Sequence, residues 1–341
     1  MPASAVSRGS TGPVRPPIHH RPGFPAHFTA PYLETWNSPD ALAEVRRNTG
    51  LSYFTLAFVV SDGGCNGAFD GTIPVDDPEW LSALRGLRTA GGDAIVSFGG
   101  AGGRELAQAC DTVSALKAAY RRVVNTLGVT RIDLDIEGAA LDDQQSDDRR
   151  NQALAELQQE YRLLGRPLDV DYTLPVNPWG LSDNGVWLLT NARQHGLDVD
   201  VVNVMTMDYG PDLDMGAAAI GAATGLHEQL GRLWPEKSPE QLWAMQGNTP
   251  MIGVNDAVNE VFSTEDAARL ARFAAEKGIR LLAFWSVGRD RPCAAAGTLS
   301  ERCSGTAQDP AHFSRILDPF PRTHSRPWTA RTPDAFRKTP R

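Results

Sequence analysis

Residues 131–138 of the chain read RIDLDIEG. Asp133, Asp135 and Glu137 alternate there with Ile132, Leu134 and Ile136. A β-strand sends successive side chains to opposite faces. The spelling therefore puts the carboxyls on one face and the aliphatic chains on the other. Same-face neighbours on a strand lie about 7 Å apart. Carboxyls held that close in a confined interior lose hydration, and each raises the pKa of the next. One outcome is a proton shared between Asp133 and Asp135, with Glu137 at the end of the strand kept partly protonated. A protonated Glu at such a position is a general acid. The residues alone also allow an exposed edge strand or a divalent-cation cluster. A cation prefers carboxylates converging from several loops, and no His stands nearby, so no metal is expected.

Such a strand needs a scaffold that buries one face and opens one end. Candidate strands recur at 27–35, 52–60, 93–99, 130–137, 168–174, 199–207, 241–247 and 280–287, each rich in Val, Ile, Leu, Phe or Tyr. Helical patterns fill the intervals. Residues 114–128 and 151–165 end on Gly, and 263–278 opens on Ser263 and closes on Gly278, the residue types that cap helices at those ends. Strands alternating with helices indicate a parallel sheet. Eight such units in one body predict the α/β class and a (β/α)₈ TIM barrel. No G-x-G-x-x-G follows the first strand, which argues against an open nucleotide-binding sheet. The Gly- and Asp-rich segments after strands two and six fall on the C-terminal face of such a barrel, where active sites form.

The chain has 341 residues and a net charge of −8. Residues 1–26 hold three bases and no acid, whereas 321–341 hold six bases and one acid, so residues 27–320 carry −16. The expected organisation is a disordered Pro-rich N-terminal tail over 1–26, one catalytic domain over 27–320 and a basic C-terminal tail over 321–341. An acidic body argues against nucleic-acid binding. No apolar run reaches the roughly 18 residues of a membrane span. The four Cys include Cys293 and Cys303, ten apart in a Gly- and Ser-containing loop. An even count with one close pair suggests disulfides and an oxidising compartment, although residues 1–22 show no apolar segment of an export signal.

At this point the residues resemble a family. The D-x-D-x-E end of strand four resembles the signature of family 18 glycoside hydrolases, the chitinases and their relatives. SFGGAGG (97–103) is similar to that family's block after strand three, and NVMTMDYG (203–210) to its strand-six block. FWSVGRDRPC (284–293) is similar to its strand-eight segment, and TPMIGVND (249–256) to a segment of bacterial chitinases. The resemblance implies retaining hydrolysis of β-1,4-linked N-acetylglucosamine polymers or oligomers, without a cofactor. Glu137 would be the general acid and then base. The nucleophile would be the substrate's own acetamido carbonyl, an exception to the usual pair of carboxyls. Asp135 would orient the acetamido group and Asp133 would tune Asp135. It also implies a secreted protein acting as a monomer.

Two departures from the pattern stand out. Thr130 and Arg131 occupy the first two places of the family's longer strand-four motif, with an expected effect on strand packing. The strand-six Tyr that bonds the acetamido oxygen aligns with Met207, so Asp208, and Tyr209 if the strand ends at Asp208, are expected to take over that role. Sugars stack their C–H faces on flat rings. Trp285 matches the family's floor residue, and Tyr32, Trp179 and Met205 join it as candidate substrate contacts. Gln246, read as the end of strand seven, is expected to bond a sugar hydroxyl. The alternatives are a non-catalytic sugar-binding relative and an endo-β-N-acetylglucosaminidase acting on N-glycans.

Overall fold

The structure is a computed structural model that describes residues 23–257 and 259–318. Residues 1–22 of the expected N-terminal tail, the whole expected C-terminal tail 321–341 and residues 319–320 before it lie outside the described residues. Phe24, within the segment expected to be tail, packs its ring 5.1 Å from Phe28 and 5.0 Å from Tyr53.

The central sheet is parallel and closes on itself. Strand one has two parts, Phe28–Thr29 and Tyr32–Glu34. Strands two to eight are Tyr53–Ser61, Asp93–Gly99, Arg131–Asp135, Asp169–Asn177, Val199–Met205, Gln246–Thr249 and Leu281–Leu282. Each pairs with the next from strand two to strand eight. Strand one then bridges the ends: Phe28 and Thr29 pair with Leu281 and Leu282, and Tyr32–Glu34 pair with Thr55–Ala57. The ring is a (β/α)₈ barrel.

Helices of eight or more residues follow strands one to seven, and the short helix His312–Leu317 follows strand eight. The capping residues do what their types predict. Ser263 and Asp266 cap Thr264–Lys277 reciprocally, and Gly278 closes it in a left-handed turn at φ 78°. Thr112 accepts from Ala115 N–H to start Val113–Leu127. One expectation fails at strand seven. Residues 239–243 form a helical turn, because Pro239 sits at its first position and Ser238 and Gln241 form a capping box. The strand starts only at Gln246.

The apolar core has two parts. The larger lies between the strands and the helices and includes Ile132, Leu134 and Ile136. The smaller is inside the barrel, where Phe28, Ala30, Tyr32, Ile95, Val201 and Leu281 meet. Ser97, Arg131, Asp133, Asp171, Thr173, Asn203 and Thr249 are buried polar residues of the same strands.

Arg131 has its partners at the N-terminal end of the barrel. It is ion-paired to Asp171 at 2.6 Å and Asp169 at 3.0 Å, and it also reaches Asp200. Its guanidinium stands 5.4 Å from the ring centroids of both Phe24 and Phe28. Burial pushes Asp171 up to about 8 against the pull of Arg131. Removing one member of a buried charge cluster strands the other. Arg131→Ala is therefore expected to cost about 3–5 kcal/mol of unfolding free energy, read as a lowered urea midpoint. A loss below about 1 kcal/mol, the size of an exposed pair, would contradict a buried role.

Candidate active site

The C-terminal face of the barrel holds a cavity of about 290 Å³. Asp135, Glu137, Met205, Met207, Asp208, Trp285 and Tyr32 line it, joined by Trp36, Phe58, Thr173, Thr249, Met251, Asp256 and Glu301. Strand four delivers the carboxyl row as its alternation predicts. The strand ends at Asp135, Ile136 N–H donates to Thr173 O at 3.0 Å, and Glu137 follows in extended conformation.

The three carboxyls have different surroundings. Asp133 is buried and fully engaged. Ser97 Oγ donates to one of its oxygens at 2.6 Å, and Tyr32 Oη donates to the same oxygen at 3.1 Å. Thr173 Oγ1 donates to the other at 2.7 Å. A second layer orients the donors: Asn203 Nδ2 donates to Thr173 Oγ1 at 2.9 Å, and Thr249 Oγ1 donates to Asn203 Oδ1 at 2.9 Å. Burial raises Asp133 to about 6, opposed by these hydroxyls. Three donors on two oxygens suit an ionised carboxylate.

Asp135 is as buried but receives none of this support, and its Oδ1 has no hydrogen-bond partner among the described residues. Burial, then the charges of Glu137 and Asp133, push it well above the carboxylate range. Glu137 is half-buried, and burial followed by the charge of Asp208 raises it. A proton therefore belongs on Asp135 before it belongs on Asp133.

Strand three is shaped to fit this row. Gly99 has φ 104°, and a Cβ there would stand 2.1 Å from Asp135 O. Gly100, at φ 87°, donates its N–H to the same carbonyl at 2.9 Å, and a Cβ on it would meet the Phe58 ring at 2.6 Å. Glycine is required at both positions for conformation and for space.

Aromatic rings form the floor. Trp285 stacks on Phe58 with centroids 5.7 Å apart and planes 8° from parallel. Tyr32 and Trp36 flank Trp285 at 6.1 and 6.2 Å. Ser286, next to Trp285, donates to the buried Glu34. The Ala57–Phe58 and Trp285–Ser286 peptide bonds are cis.

Three expected site residues are not brought to the cavity. Gln246 is fully buried at the first position of strand seven, far from the open end, because the helical turn 239–243 delays the strand. Trp179 is 74% exposed, in the turn of a hairpin after strand five. That hairpin lies on helix Met215–Leu233, where Gly221 and Gly225 admit the carbonyls of Pro178 and Trp179. Tyr209 packs on the outer apolar core, its hydroxyl buried without a partner among the described residues. Strand six ends at Met205, and Asp208 turns the chain with φ 53°. That turn leaves Asp208 on the rim, where it accepts Ala257 N–H at 2.9 Å. Conversely, Ser97, Asn203 and Thr249 open the family-like blocks at 97–103, 203–210 and 249–256 without an expected role, and Thr173 is visible only as a polar residue inside an apolar strand. Trp36, Phe58 and Glu301 lie outside every block with a family likeness, and Met251 and Asp256 stand inside TPMIGVND without an expected role.

Searched against family models, the chain matches none. It is 37% identical over 314 residues to a probable bifunctional chitinase/lysozyme of Escherichia coli, covering 87% of this chain and 35% of that protein. It is 36% identical to endochitinase 11 of Metarhizium anisopliae, covering 80% of this chain and 54% of that one. The chain thus spans about a third to a half of the length of these curated relatives. The catalytic domain of a hyperthermophilic chitinase from Pyrococcus furiosus superposes with a TM-score of 0.81 at 36% identity, covering 90% of this chain and 98% of that one.

Asp208 raises Glu137 by its charge, so Asp208→Asn should lower the pKa of Glu137. Chemistry that needs a protonated Glu137 is lost as pH rises through that pKa. The alkaline limb of the variant's pH–rate profile is therefore expected at lower pH than in the parent. An unmoved or upward-shifted limb would show that Asp208 does not act on Glu137 through charge.

Proposed function

The chain belongs to the family 18 glycoside hydrolases, and from that membership we propose that it is a chitinase, hydrolysing β-1,4 bonds between N-acetylglucosamine units with retention. The observation that carries this reading is the carboxyl of Asp135, which lines a cavity floored by Trp285, is buried between Asp133 and Glu137, and has an Oδ1 without a hydrogen-bond partner among the described residues. An acetamido group supplies what that arrangement lacks. Its N–H donates to Asp135, which turns its carbonyl oxygen toward the anomeric carbon of the same sugar.

The steps then follow from the three environments. Glu137, held protonated, gives its proton to the glycosidic oxygen as the C–O bond breaks. The acetamido carbonyl oxygen forms the new bond to the anomeric carbon, giving an oxazolinium ion whose N–H the Asp135 carboxyl accepts, while the negative charge of Asp133 behind it offsets the positive charge. Glu137, now ionised, takes a proton from water, whose oxygen attacks the anomeric carbon and reopens the ring. Asp133 keeps its charge on its three hydroxyl donors and sets the proton affinity of Asp135. Asp208 is the rim carboxyl nearest in charge to Glu137, and Met205 and Met207 give the cavity an apolar wall. No residue of this scheme calls for a cofactor. The Cys65–Cys110 and Cys293–Cys303 disulfides support work in an oxidising compartment, as a single chain on chitin or its oligosaccharides outside the cell.

Glu137→Gln tests the proposal on N-acetylglucosamine oligomers. The expected result is a loss of hydrolysis of roughly 10²-fold or more, with oligomer binding retained. A wild-type protein that binds the oligomers without cleaving them would instead make this a sugar-binding relative. Cleavage confined to N-glycans of glycoproteins would make it an endo-β-N-acetylglucosaminidase.

A further inference from the structure

One buried carboxyl near the site has no part in the steps above. Glu260 is fully buried, in a hairpin after strand seven whose strands are Gly253–Val254 and Val261–Phe262. A buried ionised carboxyl needs donors to offset its lost hydration. Glu260 finds one in the segment after strand six, where Gly210 N–H donates to its Oε1 at 2.5 Å. Burial raises the pKa of Glu260, and the N–H groups of Gly210, Tyr209 and Asp208 oppose the rise.

The contact is returned. Asp208 Oδ1 accepts Ala257 N–H, in the turn of the same hairpin, at 2.9 Å. Each segment thus supplies a carboxyl that holds the other's main chain. The hairpin turn is closed by its own bonds. Asn255 N–H donates to Glu260 O at 3.0 Å, and Asn255 Nδ2 donates to Met251 O and Gly253 O at 2.9 and 3.0 Å. The conformation held on the strand-six side is an unfavourable one. Asp208 has φ 53° and Gly210 φ 92°, and the left-handed region is strained for a residue with a Cβ. That turn is what leaves Asp208 lining the cavity while Tyr209 packs on the outer core.

We propose that Glu260 is a positioning residue for the hydrolysis, holding the strand-six turn so that the Asp208 carboxyl stays in the cavity that Glu137 lines. Glu260 is not part of the cavity lining, and it acts on Glu137 only through Asp208. This rests on the chitinase reading, in which Glu137 is the acid. Other charges face the same groups. Asp208 is also faced by Asp256 and by the Arg289 guanidinium, Glu137 by Asp135, and Glu260 by the Tyr209 hydroxyl. A substitution at Glu260 leaves all of these side chains in place. Its effect on Glu137 therefore reports where Asp208 stands, once the loss of the Glu260 charge itself is separated by a mutant cycle.

The test reads the alkaline limb of the kcat/KM–pH profile on N-acetylglucosamine oligomers, with and without Asp208→Asn. Glu260→Ala should move the limb to lower pH, by no more than Asp208→Asn does. Glu260→Gln keeps an acceptor oxygen but loses the charge that strengthens the bond, so it should move the limb the same way by less. In the Asp208→Asn background neither variant should move the limb further. A limb that both Glu260 variants leave in place, with only a lowered urea midpoint, makes Glu260 a structural residue and overturns the proposal. An equal shift in both backgrounds also overturns it, because the Glu260 charge would then act on Glu137 directly. Where the Ala variant does not fold, the Gln variant, of nearly equal volume, decides by the same criteria. A limb that Asp208→Asn leaves unmoved removes the link and overturns the proposal, with the chitinase reading intact. A parent protein inert on the oligomers overturns both.

Discussion

Three carboxyls in file inside a barrel repel one another and lose water, and the rest of the site exists to keep them there in unequal protonation states. The inequality is made by hydrogen-bond donors. Ser97, Thr173 and Tyr32 all aim hydroxyls at Asp133 and none at Asp135. The donors come from strands three, five and one, so the proton order depends on ring closure. An open sheet would not bring Tyr32 of strand one against Asp133 of strand four. Below this layer stand the buried Arg131, ion-paired to Asp171, and the rings of Phe24 and Phe28.

The same constraint explains the glycines of strand three. Gly99 and Gly100 bring that strand onto the Asp135 carbonyl and leave room for the Phe58 ring. Phe58 in turn supports Trp285 by stacking. Floor and carboxyl row are thus set by one short segment, with Ser97 at its start supplying a donor. The loops after strands seven and eight are braced separately, through Arg289 and the Cys293–Cys303 disulfide. The reacting centre is built on strands and the rim on loops, so substrate preference can change without disturbing the proton order.

Much of this was legible in the chain because strand alternation is a strict code. Asp133, Asp135 and Glu137 could not share a face with Ile132, Leu134 and Ile136, and the structure sends them where the alternation requires. Trp285 was legible from the likeness of 284–293 to the family's strand-eight segment, and Tyr32 from its place on strand one, rather than from alternation. The misplacements have local causes. The apolar run at 241–247 looks like a strand, but Ser238, Pro239 and Gln241 commit its first half to a helical turn, which moves Gln246 to the closed end of the barrel. Trp179 belongs to a hairpin whose packing depends on two glycines in a helix forty residues later. Tyr209 is turned outward by the left-handed residue Asp208, a conformation that Asp tolerates and its spelling does not announce. Glu301 reaches the cavity through a disulfide loop, and no short-range pattern connects it with strand four.

The central claim is that hydroxyl donors make Asp133 the ionised member of the row and leave Asp135 protonated. Titration of carboxyl-¹³C-labelled Asp by NMR, with Asp133→Asn and Asp135→Asn used to assign the two signals, tests it directly. The account predicts that, as pH rises, Asp133 loses its proton first, near 6, with Asp135 still protonated above that point. A spectrum in which Asp135 ionises before Asp133, or in which both ionise in the ordinary carboxylate range, would contradict it.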